Sequence, residues 1–333
     1  MTKTLISFED IYAGESEIFG SLDFKILAGK SILVTGCRGM LGGTLAVTLI
    51  ELKKRNQLPD SKVYLASREW ENQGYDLENS TDVIFITNQK ARERTLNFDV
   101  IIHCASPSNI TKISNLENLL DINQTFLSDC VSKRTKKIIY ISAGEVYGGL
   151  DTTTVPEVEG FNKDEKRSWY PIAKLQTEDY LIKNFSQTDV SINILRLFHS
   201  FGPGLSKDDG RSFADFLYSA AASENIVLKS PGDQIRTFLY TGDAAAAILL
   251  TILSAKKSLI LNIGSENRFS IREFAQEVAK ISNVHVTTTL DGGFLHSPFN
   301  SVVPDISQAK QLGWAPKVEM QEAIKRTLKW IKN

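Results

Sequence analysis

The glycine-rich turn at residues 36–42 constrains the fold of this chain more than any other feature. It follows the apolar run 31–34 and precedes a helical pattern over residues 40–54. Glycines at this spacing allow a tight strand-to-helix turn, close approach of the backbone to a pyrophosphate, and close packing of helix on strand. The helix N-terminus would face the phosphate charge. The turn therefore predicts dinucleotide binding by Gly36, Arg38, Gly39, Met40 and Gly42.

The alternation of apolar strands and helices continues along the chain. Strands are predicted at 31–35, 62–66, 82–86, 99–103, 137–142 and 190–197, and helices at 40–54, 114–132 and 168–184. Such strands imply a parallel sheet covered on both faces. After residue 204 the pattern changes to helices at 212–222, 243–254, 270–281, 305–312 and 319–331 with short strands between them.

The predicted fold class is therefore α/β. We expect a Rossmann-like doubly wound parallel sheet with a smaller α+β C-terminal substrate lobe. The expected divisions are an N-terminal arm (1–29), a dinucleotide-binding domain that also carries catalytic residues (30–200), and a mainly substrate-binding lobe interleaved with it (201–333). The arm shows loosely helical apolar spacing and would pack on the body or on a neighbouring subunit.

The amino-acid composition limits the classes of binding partner that we expect. The 333 residues carry a formal net charge of −1, which gives no reason to expect nucleic acid or an anionic membrane. Three cysteines without metal-like spacing predict reduced thiols and no metal site. The N-terminus lacks the features of a signal peptide, and no run approaches the ~20 apolar residues of a membrane span. We expect a cytoplasmic protein.

A second motif places Tyr170 and Lys174 one helical turn apart on the same face. An ammonium beside a phenol favours the phenolate and lowers the phenol pKa from about 10, as acid–base chemistry near neutral pH requires. Either motif alone is weak. Together, about 130 residues apart and in this order, they resemble the extended short-chain dehydrogenase/reductases, the NAD-dependent epimerase/dehydratase family that modifies nucleotide sugars.

The resemblance is strongest to the UDP-glucuronate decarboxylases and dTDP-glucose 4,6-dehydratases of that family. It implies that Tyr170 and Lys174 act in catalysis and also bind the cofactor. Residues 142–148 are similar to a family segment in which Glu145 would act near C5 of the sugar. Ala143 would contact substrate where the family carries a Ser or Thr that hydrogen-bonds the 4-oxygen. Ser142 could replace that hydroxyl after a small shift, or the hydroxyl could be dispensable.

Position 144 also departs from the family pattern. Gly144 stands where dehydratases carry an acid that protonates the leaving 6-hydroxyl. Decarboxylation needs no such acid, so the resemblance favours decarboxylase-like chemistry over dehydration.

Further family-like segments supply the remaining candidates. The end of strand 99–103 would hold cofactor through Cys104, Ala105 and Ser106, whereas His103 is interpreted as structural. Segments around 195–204, 208–216 and 232–240 would bind substrate through His199, Arg211 and Arg236. A guanidinium suits a diphosphate because its donors match phosphate oxygens bidentately. Either arginine could instead be a surface ion-pair partner.

The choice of dinucleotide rests on the end of the second strand. An acidic residue usually holds the adenosine ribose of NAD there, but the chain reads Ser67-Arg68-Glu69. Ser67 and Arg68 could receive the 2′-phosphate of NADP, and Glu69 could reach the ribose. The resemblance favours NAD, with NADP possible.

The predicted function is NAD(P)-dependent modification of a nucleotide-diphosphate sugar through a transient 4-keto intermediate, decarboxylase- or dehydratase-like. A nucleotide-sugar 4-epimerase is the alternative, and a non-catalytic dinucleotide-binding protein is the rival from another class. The family resemblance also implies a homodimer.

Overall fold

The computed structural model describes residues 6–12, 22–68, 83–106, 116–147, 169–289 and 302–333. Its centre is a seven-stranded parallel sheet in the order β11-β6-β5-β4-β1-β2-β3. These strands are β1 Ser31–Thr35, β2 Lys62–Ser67, β3 Val83–Thr87, β4 Val100–His103, β5 Lys137–Ala143, β6 Ser191–Leu197 and β11 Leu259–Ile263. Glu69 and two segments of the predicted arm (1–5 and 13–21) lie outside the described residues.

Helices cover both faces of this sheet. They are Phe8–Tyr12, Met40–Lys54, Asn88–Ala91, Leu116–Leu120, Phe126–Cys130, Trp169–Phe185, Ser212–Ala221, Thr241–Leu253, Ile271–Ser282, Ser307–Gln311 and Met320–Lys332. A π-helical turn, Asp121–Thr125, joins the fourth to the fifth. Short 3-10 helices span Phe24–Leu27 and Gly144–Tyr147. The predicted α/β fold is confirmed.

Alternating residues of the central strands separate the hydrophobic core into two layers. Val34 and Ile102 belong to one buried cluster, whereas Leu33 and Ile101 belong to the other. This is the expected result for parallel strands buried on both faces. The strand order reverses between β1 and β4, and doubly wound sheets bind ligands at the carboxyl edge of such a switch point.

The C-terminal part combines helices with pairs of short strands. These strands are β7 Ser200–Phe201, β8 Ile226–Leu228, β9 Ile235–Thr237, β10 Leu239–Tyr240, β12 Arg268–Ser270 and β13 Val286–Thr288. They pair as β7 with β10, β9 with β12 and β8 with β13. β11 instead joins the main sheet beside β6, so the chain returns to the first layer after leaving it. The division at residue 200 remains a prediction.

The described N-terminal residues 6–12 pack on the body of the same chain. The Tyr12 hydroxyl lies 3.0 Å from Thr48 Oγ1 on the helix Met40–Lys54. The carbonyl of Ile11 accepts hydrogen bonds from Tyr240 (2.8 Å) and Arg326 (3.0 Å). This segment therefore connects the helix that follows β1 to β10 and to the helix Met320–Lys332 of the C-terminal part.

Among the described residues, no helix combines the length and apolar character needed to cross a bilayer.

Candidate active site

The glycine turn after β1 has the shape that dinucleotide binding requires. Gly36 has a φ of +67°, and a Cβ there would lie 2.8 Å from the backbone nitrogen of Ala105. A Cβ on Gly42 would collide with the carbonyl of Gly36. A Cβ on Gly39 would meet only the Gly36 oxygen, at 3.3 Å. The fold itself therefore requires Gly36 and Gly42, whereas Gly39 leaves open space at the helix N-terminus, where a pyrophosphate would approach.

The neighbouring residues surround this turn. Arg38 is exposed on it, and Met40 begins the helix partly buried. Ser67 is buried at the end of β2, and Arg68 follows it in an exposed position. These positions fit the adenosine half of a dinucleotide at the switch point.

Tyr170 and Lys174 lie on the helix Trp169–Phe185, which packs on β5. Lys174 Nζ donates a hydrogen bond to the carbonyl of Ile141 (2.6 Å) and lies 5.6 Å from the ring centroid of Tyr170. Burial lowers the pKa of Lys174 to about 8, although Cys104, Glu178 and Glu145 oppose this shift.

The expected lowering of the Tyr170 pKa is wrong for this arrangement. Burial raises the pKa of Tyr170 well above its usual value, and Glu145 adds to the rise, while Arg211 opposes it. The physical reason is that desolvation of the phenolate outweighs the nearby cations. Tyr170 is a phenol here, and a further positive charge would be needed to make it a base.

Glu145 lies at the centre of the charged groups of the site. It is exposed on the 3-10 turn Gly144–Tyr147 that follows β5. Its carboxylate raises the pKa of each of four predicted site residues, which places all of them within electrostatic range: Tyr170, Lys174, Arg211 and Arg236. The structure thus brings Glu145 together with these residues from distant parts of the chain.

Arg211 is held in a fixed direction by Asp209. Its Nε and Nη2 lie 2.5 Å and 2.8 Å from the two oxygens of the buried Asp209 carboxylate. Its guanidinium also lies 4.6 Å from the ring centroid of Phe213. Arg236 is buried on β9, donates to the carbonyl of Ile235 (2.7 Å), and has its pKa lowered by burial and raised by Glu145.

His199 lies next to these two arginines. Burial, with Arg236 and Arg211, lowers its pKa to about 3, so the imidazole is neutral. Its φ is +22°, an uncommon value for a residue other than glycine. Its Nδ1 is buried without a hydrogen-bond partner among the described residues, as are Ser200 Oγ and Thr237 Oγ1. Buried polar atoms are seldom left unpaired, so this cluster indicates a site for a polar ligand.

Ser142 is not brought to these residues. It is 2% exposed, and its hydroxyl donates to Glu178, which also forms a buried ion pair with Arg196 (2.6 Å). Side chains alternate along β5, so Ser142 and Ala143 point to opposite faces of the sheet. A small shift of the strand therefore cannot bring the Ser142 hydroxyl to the position of the Ala143 side chain. In the structure its hydroxyl is engaged by Glu178, and its catalytic role stays a prediction.

The turn after β5 leaves no room for an acid at position 144. A Cβ on Gly144 would lie 2.7 Å from the ring of Phe198, which is almost fully buried. Ala143, one residue earlier, is buried at the end of β5. The two departures from the family pattern are therefore part of one tightly packed region.

The end of β4 contains His103 and the three residues predicted to contact cofactor. His103 Nδ1 pairs with Thr35 Oγ1 (3.0 Å), and burial lowers its pKa to about 3, which agrees with a structural role. Cys104, Ala105 and Ser106 follow as partly buried residues. Cys104 lies within electrostatic range of Lys174, and burial raises its pKa to about 12.

Three charged neighbours of the candidate site were missed by reasoning from the sequence. Glu178 follows Lys174 by one helical turn, a spacing that could have identified it. Its partner Arg196 could not have been found in this way, because the pairing depends on how the helix Trp169–Phe185 packs on β6. Asp209 was part of a family-like segment but was not selected.

The comparison with known families agrees with this geometry. The model of the NAD dependent epimerase/dehydratase family matches residues 32–264, from β1 to the end of β11. The chain belongs to this family.

Relatives within the epimerase/dehydratase family cover most of the chain. UDP-glucuronic acid decarboxylase 3 of Arabidopsis thaliana is 27% identical over 310 residues, covering 88% of this chain and 86% of that protein. UDP-N-acetyl-alpha-D-glucosaminuronate decarboxylase of Bacillus cytotoxicus is 25% identical, covering 91% and 98%. The solved UDP-glucuronic acid 4-epimerase of Bacillus cereus, in complex with UDP-glucuronic acid and NAD, has a TM-score of 0.76 at 21% identity, covering 91% and 99%.

Proposed function

We propose that this protein is an NAD-dependent decarboxylase of a UDP-hexuronic acid. The observation that carries the proposal is the arrangement after β5, where Glu145 lies within range of Tyr170 while the Phe198 ring fills the space of a dehydratase acid. The relatives described above are named for UDP-linked uronic acids, which supports a substrate with a carboxylate on C5.

The residues of the glycine turn and the end of β2 would hold the dinucleotide, with Lys174 near its nicotinamide ribose. Bound NAD supplies a hydride acceptor and donor for C4 and a positive charge beside the phenol. Tyr170 takes the proton of the 4-hydroxyl as C4 is oxidised. Lys174, with a pKa near 8, supplies additional positive charge at this edge of the sheet.

Decarboxylation then follows from the chemistry of the 4-ketone. The C5 carboxylate is β to that ketone, so breaking its bond to C5 releases CO2 and leaves the electron pair as an enolate on the 4-oxygen. C5 would gain a proton from solvent in place of the lost carboxylate, C4 would be reduced again by the same hydride, and Tyr170 would give its proton back to the 4-oxygen. Glu145 lies where it can orient groups near C5, and no group has to protonate a leaving hydroxyl.

The arginine cluster would bind the negative charges of such a substrate. Arg236 and the unpaired polar atoms of His199, Ser200 and Thr237 suit a diphosphate, because neutral donors and a guanidinium together match phosphate oxygens. Arg211, aimed by Asp209 and within range of both Glu145 and Tyr170, suits the C5 carboxylate.

A 4-epimerase acting on the same class of substrate is the second candidate. It is supported by the solved UDP-glucuronic acid 4-epimerase, whose fold the chain shares. Such a reaction would use Tyr170 and Lys174 in the same way but would keep the carboxylate.

The test is incubation of the purified protein with UDP-glucuronic acid, UDP-N-acetylglucosaminuronic acid, UDP-glucose and dTDP-glucose, each with NAD or NADP. Mass spectrometry and proton NMR would follow the products. We expect loss of CO2 from a uronic acid and no change in the neutral sugars. Inverted configuration at C4 without loss of mass would establish the epimerase instead, and dehydration of a neutral sugar would contradict both.

We also propose that the protein acts as a cytoplasmic homodimer. Trp169 and Ile182 are large apolar side chains that stay exposed on the helix carrying Tyr170. Contact with a second copy would cover them. Light scattering that gives the mass of a single chain at micromolar concentration would contradict the dimer.

A further inference from the structure

The proposed reaction needs a hydrogen-bond donor that β5 does not supply. Negative charge develops on the sugar 4-oxygen when the carboxylate is lost, and a fixed donor at that oxygen accelerates such steps. Ala143 has no hydroxyl, and the hydroxyl of Ser142 donates to Glu178. A donor in addition to Tyr170 would therefore come from outside β5.

Ser106 has a hydroxyl that is available for this contact. Its Oγ is buried and has no hydrogen-bond partner among the residues that the structure describes. The nearby hydroxyl of Thr35 is occupied, because its Oγ1 pairs with His103 and accepts the backbone N–H of Ala105 (3.2 Å). A buried hydroxyl without a partner indicates that a ligand completes its hydrogen bonding.

The register of the sheet brings the end of β4 beside β5. β4 pairs in parallel with β5 from Val100 opposite Lys137 to His103 opposite Tyr140, where β4 ends. Past that end, the Ala105 N–H bonds to the side-chain hydroxyl of Thr35 (3.2 Å), and Cys104 lies within electrostatic range of Lys174. Ser106 is the next residue, so it follows the same carboxyl edge of the sheet at which Ala143 ends β5.

The two residues also lie at the same edge of the sheet. His103 and Tyr140 stack on each other with ring centroids 6.0 Å apart at the end of β4. Ala143 ends β5 three residues after Tyr140, and Ser106 follows His103 by three residues. Neighbouring strands are about 4.8 Å apart, which a serine hydroxyl and a sugar oxygen can span.

We infer that Ser106 is a further catalytic residue, whose hydroxyl donates to the sugar 4-oxygen in place of the hydroxyl missing at Ala143. The inference rests on the proposed function, because it presupposes a sugar oxidised at C4. Ser106 keeps its proton throughout, and Tyr170 carries out the proton transfer. In this chain the donor would follow β4, whereas the family carries it at the end of β5. Both positions lie at the same edge of the sheet.

The first experiment is Ser106→Ala, assayed on the uronic acid that the wild type turns over. We expect kcat to fall about 10²-fold or more, as for loss of an oxyanion donor, with the Kd for NAD unchanged by calorimetry. Ser61→Ala is the matched control, because Ser61 is also buried and donates to the carbonyl of Leu58 (2.8 Å) at the opposite edge of the sheet. It should keep wild-type kcat.

The second experiment is a rescue. Ala143→Ser in the Ser106→Ala protein should recover at least tenfold in kcat, because it restores a hydroxyl at the end of β5, at the same edge of the sheet. Wild-type kcat in Ser106→Ala would overturn the inference. So would a weakened Kd for NAD with unchanged kcat at saturating NAD, which would assign the hydroxyl to the cofactor. A wild-type protein that turns over no uronic acid would instead overturn the proposed function.

Discussion

Burial sets the charge of the titratable groups around Tyr170. The pKa of Lys174 falls to about 8, that of His199 falls to about 3, and that of Tyr170 rises. The imidazole of His199 is therefore neutral at any physiological pH. Lys174 is a cation that loses its proton as the pH rises through about 8. The acid–base behaviour of the site depends on Lys174 keeping its proton.

Tyr170→Phe should abolish turnover, because it deletes only the phenolic oxygen from a packed aromatic position. The Kd for NAD, measured by calorimetry, should remain close to that of the wild type. Tyr180→Phe is the control on the same helix, since the Tyr180 hydroxyl contacts Ser128 (2.5 Å) away from the site. Retention of more than a tenth of wild-type kcat by Tyr170→Phe would remove Tyr170 from catalysis.

The pH dependence of kcat should report Lys174. Below its pKa of about 8 the side chain is an ammonium, and above it the side chain is neutral. Because the positive charge supports the phenolate of Tyr170, kcat should decline as pH rises through about 8. Lys174→Met should have low activity and weaker NAD binding at every pH, without this decline. An alkaline limb that persists unchanged in Lys174→Met would belong to another group.

At the scale of elements, long apolar segments were predicted accurately, whereas some of the short elements were missed. β1 and the helix Met40–Lys54 have the predicted bounds, because periodicity and the glycine turn agree there. β7 and β12, of two and three residues, were missed. So was the π-helical turn Asp121–Thr125. Their pairing partners are distant in sequence, and no local pattern specifies them.

Part of the candidate site was also predictable from the sequence. Local motifs predicted Tyr170, Lys174 and Glu145, and the structure brings them together with Arg211 and Arg236. The direction of a side chain at a strand end was not predictable, because it depends on the packing of a helix against that strand. Ser142 and its contact with Glu178 are the example.

The helix N-terminus after β1 provides a test of dinucleotide binding. Gly39→Val should fold, since a Cβ there meets only one oxygen at 3.3 Å, but it should lose measurable affinity for NAD because the side chain occupies the approach of the pyrophosphate. Thermal melting would check folding and calorimetry would check binding. Gly42→Val is the contrast, since its side chain collides with the Gly36 carbonyl and should lower the melting temperature. Unchanged affinity in Gly39→Val would argue against this assignment.

At the scale of the whole molecule, hydrogen bonds to a buried carboxylate hold the C-terminal segment against the rest of the protein. Asp243, on the helix Thr241–Leu253, accepts the backbone N–H groups of Lys317 (3.1 Å) and Val318 (3.0 Å). Burial raises its pKa to about 6, although these two hydrogen bonds oppose the rise.

The stability of the protein should therefore depend on pH in a defined window. The folded pKa of Asp243 lies above the value of 3.8 expected on unfolding, so the folded state binds the proton more tightly. The contribution of Asp243 to the free energy of unfolding should fall by about 3 kcal/mol as pH rises from about 4 to about 6. Urea unfolding across this range would measure it. The corresponding slope should be absent from Asp243→Asn, and an identical slope in both proteins would contradict the assignment.

The close packing of Gly144 against Phe198 limits which substitutions can be accepted during the evolution of this protein. Introducing an acidic residue at 144 alone would drive its side chain into an aromatic ring that is itself packed against Tyr147 and Gly264. Such a variant would fold poorly. Selection would therefore remove it before it could gain a new reaction. A lineage could reach dehydration from here only if residue 198 became smaller first, a step that opens a cavity and gives no benefit by itself. If the protein acts as proposed, a change from decarboxylation to dehydration would therefore require at least two substitutions, at residues 198 and 144.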